Sequence, residues 1–197
     1  MLKGNSNSRY GRKIYILRRF YTITAVLFII LAVIASVFIA VQLKNGISNE
    51  KRELLHFWNT GDFKSAYEIT KNALIQNPVD YFLLTINGFS AYQMGISQIN
   101  NQNMLNFINE SIFSLRKALI FKEAANDGRI FYVLGKAYVN KGKEYSELAV
   151  KYLEIAHNMS YEAHDIPEYL GLAYAASGDY RSSVEAFSRA FVSDALP

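Results

Sequence analysis

The chain has 197 residues, a formal charge of +4 and no cysteine, which excludes disulfides and thiolate metal sites and fits one domain of ordinary size behind an N-terminal segment. The charge is uneven. Lys3, Arg9, Arg12, Lys13, Arg18 and Arg19 precede the first apolar run with no acid among them, leaving about −2 for the remainder, so no basic face for nucleic acid is indicated.

Residues 1–19 read as a basic cytoplasmic tail and 20–43 as a transmembrane helix. Thr22 to Val41 is a run of twenty residues without charge or proline, thirteen of them Ile, Val, Leu or Phe. At about 1.5 Å rise per residue such a helix spans the roughly 30 Å hydrocarbon core. The cations before the run outweigh Lys44, Lys51 and Arg52 after it, which are mixed with Glu50 and Glu53. The expected orientation is N-terminus inside and C-terminal domain outside, in the periplasm if the membrane is a bacterial inner membrane. A cleaved signal peptide fits less well, since its apolar region is about 7–15 residues long. Ala32, Ser36 and Ala40 recur every fourth residue and form a small-residue stripe through which two spans could pack, giving a self-association reading.

Beyond Lys44 the pattern turns helical and self-similar. The last segment reads Leu170-Gly171, Ala173-Tyr174, Gly178-Asp179-Tyr180, Phe187 and Ala190. The one before it reads Leu134-Gly135, Ala137-Tyr138, Gly142, Tyr145, Ala149, Leu153 and Ala156. Gly88, Tyr92, Gly95, Ser111, Leu115 and Ala118 form a third, and Trp58, Gly61-Asp62-Phe63, Ala66, Ala73 and Pro78 the earliest. From Gly61 to Ala66, Ala73 and Pro78 are 5, 12 and 17 residues, and Gly61 to Gly88 is 27. These are the spacings of a 34-residue helix–turn–helix unit.

These residues resemble the tetratricopeptide repeat (TPR) family over Ile47 to Pro197. The expected fold is all-α: a transmembrane helix followed by a domain over 44–197, an α-solenoid of about four TPR-like units at 47–80, 81–125, 128–163 and 164–197. Departures from the family pattern are Leu54 where glycine is usual and Pro167 where a bulky residue is common. The second unit carries about eleven extra residues. That insertion, around Ile96 to Asn109, is rich in Asn and Gln and reads as a surface loop, because short amides compete for backbone hydrogen bonds.

No catalytic constellation stands out. Glu154 and His157 have the spacing of one half of a di-iron site, which needs two such pairs, and no phosphate loop, nucleophile elbow or dinucleotide fingerprint is present. No enzyme activity, metal, cofactor or small-molecule substrate is expected. What remains is surface recognition. Carried over by register, the resemblance implies an inner groove of Lys51, Leu55, Trp58 and Asn59 in unit one, and Phe82, Thr85, Phe89, Tyr92 and Gln93 in unit two. Unit three supplies Arg129, Tyr132, Lys136, Val139 and Asn140, and unit four Glu168, Leu172 and Ala176. The family's clamp for chaperone C-terminal carboxylates is matched cleanly only by Lys51, and the groove reads instead as aromatic and apolar in its first half, suited to a helix or extended segment. Phe187 and Phe191 on the final helix read as a second contact, an open edge for another subunit.

The functional expectation is a membrane-anchored scaffold binding other protein subunits of a large envelope assembly, such as a secretion apparatus or the periplasmic collar of a flagellar motor. The rivals are a chaperone-like quality-control factor beside the translocation channel, and an organelle import receptor with cytosolic repeats.

Overall fold

A computed structural model describes residues 28–29, 31–37 and 51–195, with side chains to 191. The chain divides into two compact units, Met1–Glu53 and Leu54–Pro197. In the first, residues 28–29 and 31–37 are helical and exposed, and the Ser36 hydroxyl donates to the Val33 carbonyl at 2.8 Å. Ala32 and Ser36 lie on this helix, whereas Ala40 is outside the described residues. Among the described residues no helix is long and apolar enough to cross a membrane, and most of the 22–41 stretch lies outside them.

The second unit is all-α. Residues 51–60 are helical, and 54–60 of them, α1, open the unit. There follow α2 (Phe63–Gln76), α3 (Tyr81–Ile96), α4 (Asn101–Ala118), α5 (Gly128–Lys141), α6 (Ser146–Asn158), α7 (Ile166–Ser177) and α8 (Tyr180–Ala195), with 3₁₀ turns at Lys122–Asn126 and Lys143–Tyr145. Sequence-local devices start the helices: carboxylate or amide caps on Asp62, Asp80 and Asn100 accept from the backbone N–H three residues on, at 2.9–3.1 Å. Two of the turns share one construction. Gly61 (φ +75°) and Gly178 (φ +90°) take the left-handed conformation that a Cβ disfavours. The next N–H then bonds back across the turn, Asp62 to Phe57 and Asp179 to Tyr174, at 2.9 and 3.0 Å. Asp179 in turn accepts from the Ser182 N–H at 3.1 Å. After α6 the same role falls to Ser160, a non-glycine residue at φ +55°.

Short turns fold successive helices back on one another, and each helix packs against its sequence neighbours. The small residues on the first helix of each pair sit under a large side chain of the second. A Cβ on Gly88 would meet Leu115 Cγ at 2.5 Å, one on Gly171 would meet the Phe187 ring at 2.8 Å, and one on Gly135 would run into Leu153. One core runs through the unit from Leu84, Ile108 and Leu115 through Ile130, Leu134 and Leu153 to Ile166 and Leu170. First helices also touch one another, α3 with α5 and α5 with α7, and so line one common face.

One expectation is overturned. The Asn/Gln-rich insertion is not a loop over 96–109. α3 runs to Ile96 and α4 begins at Asn101, so the extra residues lengthen the pair to 16 and 18 residues, against 14 and 13 in α5 and α6. Asn100 caps α4, while Gln102, Asn103, Asn106 and Asn109 face solvent. Ile108, Ile112 and Leu115 face inward, and this helical period outweighs the weak turn preference of the amides.

Candidate interaction face

The face shared by α3, α5 and α7 gathers most of the expected groove residues, and they engage each other. At its centre Lys136 Nζ donates to Asp165 Oδ2 at 2.6 Å and to the Tyr132 hydroxyl at 2.9 Å, while Tyr132 donates to Asp165 Oδ1 at 2.6 Å. The ammonium also lies 4.4 Å from the Tyr169 ring centroid, 4.8 Å from Tyr132 and 5.8 Å from Tyr92, within cation–π reach of all three. Asn140 completes the cluster, donating Nδ2 to the Lys136 carbonyl at 2.9 Å and to the Tyr92 hydroxyl at 3.3 Å.

The same contact occurs one unit earlier. Tyr81, at the start of α3, donates its hydroxyl to Asp127 Oδ2 at 3.3 Å, and Asp127 pairs with Arg129 at 2.8 Å. Asp127 and Asp165 each stand immediately before a first helix. In both cases a tyrosine on the first helix of one unit reaches the aspartate that opens the next. The inner face is therefore latched from unit to unit.

The electrostatics follow from burial and pairing. Burial alone would raise the Asp165 carboxyl, but hydrogen bonds from Lys136 and Tyr132 outweigh it and hold its pKa below the usual carboxylate value. Burial likewise opposes the Lys136 charge, yet Asp165 and Tyr132 leave its pKa raised. Tyr132 is pushed up to about 12, by burial first and then by its bond to the Asp165 carboxylate. Burial, with Tyr169 adding to it, also raises Tyr92. At neutral pH Lys136 is the cation, Asp165 the anion, and the Tyr92 and Tyr132 hydroxyls keep their protons.

Phe89 and Tyr92 lie in the core, 5 % and 2 % exposed, so they do not form an open apolar groove. The physical reason is that α3 is enclosed on all sides, with eleven of its sixteen residues buried. Trp58 is half-buried, packed edge-on to Phe63 at 5.2 Å and tilted against Phe89 at 5.8 Å, and Arg129 covers Phe89 from above at 5.9 Å. Thr85 is buried, and Phe82, Gln93, Val139 and Ala176 are half-buried. Leu55, Asn59, Glu168 and Leu172 are exposed, and these with Arg129 are the positions open to a partner. Lys51 is helical and half-buried at the end of the first unit. Of the two edge residues, Phe187 packs on Gly171 within its own unit, whereas Phe191 is 78 % exposed and lies outward with Tyr180 and Val184.

Asp165, Tyr169, Asp127 and Tyr81 were not among the residues singled out from sequence. The signal for them was an aspartate recurring directly ahead of α3, α5 and α7, at Asp80, Asp127 and Asp165. Among the described residues no group of three or more His, Asp or Glu could hold a metal ion.

No family model matches the chain, and no curated protein matches it significantly. Solved structures do. The crystal structure of MamA superposes with a TM-score of 0.53 at 23 % identity, covering 70 % of this chain and 71 % of that one. MamA from residue 41 to its end, from Desulfovibrio magneticus RS-1, gives 0.51 at 17 %, covering 74 % and 73 %. TTC0263, a thermophilic TPR protein of Thermus thermophilus, gives 0.52 at 19 %, covering 76 % and 75 %. The fold is TPR-like. At these identities the likeness speaks for the TPR-like solenoid and nothing finer.

Proposed function

We propose that the chain is a non-enzymatic scaffold that brings protein subunits together at a membrane. The observation that carries this reading is the stack of helix pairs with its first helices on one common face, an arrangement that presents an extended surface to other chains. The exposed positions among the expected groove residues, Leu55, Asn59, Arg129, Glu168 and Leu172, are the contacts it offers. The exposed row Tyr180, Val184 and Phe191 on α8 offers a second surface for another subunit.

Anchoring by residues 20–43 is supported by the part of that stretch described. Phe28, Ile29, Leu31, Val33, Ile34 and Val37 are exposed around a helix, and a helix apolar on every side is suited to lipid. With the basic tail inside, the repeats face the periplasm and the scaffold belongs to an envelope assembly such as a secretion apparatus or a flagellar collar.

In-membrane cross-linking, gentle solubilisation and mass spectrometry test the function. A scaffold yields one or two partners in stable ratio, with or without further copies of itself. A long series of unrelated exported proteins instead marks a quality-control chaperone. Protease added to intact cells or organelles tests the topology, and repeats digested only from the cytosolic side would replace the anchor orientation with that of an import receptor.

A further inference from the structure

The side of the array formed by second helices has a cavity of about 220 Å³ between α2 and α4. Its apolar walls are Leu74, Pro78, Leu84 and Phe113. At its floor Ser114 accepts from Asn87 Nδ2, fully buried on α3, at 2.8 Å, and Glu110 Oε1 accepts from the same amide at 3.3 Å. A cavity of about 150 Å³ admits benzene, so this one admits an aromatic or branched aliphatic side chain with room beside it.

Its rim is cationic and its surroundings are apolar. Lys71 and Lys117 line it, and among the described residues neither forms a salt bridge. Lys71 donates to the Tyr67 hydroxyl at 3.2 Å, and Lys117 lies 5.9 Å from the centre of the Phe113 ring. Glu110 is the one carboxylate in the lining, and it accepts from Asn87. Ile75, next to Leu74 in sequence, is 73 % exposed, and Phe113 itself is 63 % exposed. An apolar anchor point, apolar shoulders and two lysines without a salt bridge complement an acidic amphipathic segment. The chain's own N-terminal tail carries six cations and no acid before Thr22 and is mismatched to that rim.

We propose that this cavity anchors an acidic amphipathic segment of a protein partner, an aromatic or branched side chain entering it while an adjacent carboxylate pairs with Lys71 or Lys117. The inference rests on the scaffold reading, and adds a recognition site on the side opposite the face described above.

The test uses the full chain in detergent micelles and a fluorescent, helix-forming peptide with Leu and Phe anchors set between Glu residues, against its counterpart with Lys for Glu. The acidic peptide is expected to bind about tenfold more tightly at low salt, an advantage that shrinks as salt is added. The double variant Lys71→Glu, Lys117→Glu should reverse the preference, and Phe113→Ser should weaken both peptides. All three positions are at least partly exposed, and unchanged helix content by circular dichroism confirms an intact fold. Equal affinity for the two peptides, or a preference unmoved by the charge reversal, overturns the proposal. So does displacement of the acidic peptide by a peptide of residues 1–19, which would make the tail the occupant, or self-association abolished by the charge reversal, which would make it a second copy. If the acidic peptide binds as expected while cross-linking recovers no stoichiometric partner, the scaffold reading fails and the pocket stands. If a partner is recovered equally well by the charge-reversed variant, the pocket fails and the scaffold stands.

Discussion

The α2–α4 region and the α5–α7 region join neighbouring units by opposite chemistry. In the first, the junction is built on a buried amide: Thr70 on α2 lies 3.1 Å from Asn87 Oδ1, and the Asn87 amide reaches Ser114 and the half-buried Glu110 carboxylate on α4. In the second, it is ionic and half-open, with the Lys136 side chain 12 % exposed and Asp165 33 %. A buried neutral bond is insensitive to salt and mild pH change but costly to break, because the partner left behind cannot reach water. A half-exposed ion pair is worth less and responds to both.

That contrast can be broken most forcefully at Asn87. Asn87→Ala should destabilise the second unit by about 2–3 kcal/mol, since Ser114 loses its partner and a cavity opens. Urea unfolding at pH 7 checks this, and an unchanged midpoint would show that the amide does not hold the junction. Lys136→Met should cost less, about 1–2 kcal/mol at pH 7, because solvent relieves part of the unpaired Asp165 charge. The gap between wild type and variant should close in acid. A folded-state carboxyl held below its unfolded value, near 3.9, stabilises above that pH and loses the contribution as pH falls through the lowered value.

Tyr132→Phe should be milder, about 0.5–1.5 kcal/mol at neutral pH. Its signature is alkaline. A phenol raised to about 12 in the fold and near 10 when unfolded contributes stability that is complete below about pH 10 and lost as pH rises toward 12. Thermal melts between those values should fall less steeply for the variant than for wild type. The smallest effect expected is at Phe191, where Phe191→Ser should shift stability by less than about 0.5 kcal/mol. A larger loss would show that the exposed ring packs against something within the chain.

The repeats were legible because their signal is local and steric. Gly88, Gly135 and Gly171 are positions of the repeat pattern in the sequence, and each sits under a side chain of the following helix. The inner face was legible only in part. Helical period identifies one apolar face on a helix with a wet side, but α3 has no wet side, so Phe89 and Tyr92 carried no mark separating groove from core. The latches were obscured for another reason. An aspartate before a helix already has a sufficient local explanation as a cap, and its bond to a tyrosine 33 or 46 residues upstream leaves no trace in periodicity. The Asn-rich stretch misled because composition was weighed above the Ile108, Ile112 and Leu115 spacing.

The enclosure of α3 sets the order in which the domain's amides meet solvent. A helix covered on every side exposes its N–H groups only when its neighbours have already left, so its exchange with deuterated water tracks global unfolding. α8, with its outer row bare, opens by fraying from one end. Hydrogen exchange should therefore run as a gradient from α8 inward, with Leu84 to Tyr92 the last amides to be labelled; uniform labelling across the helices would show that the units melt together instead.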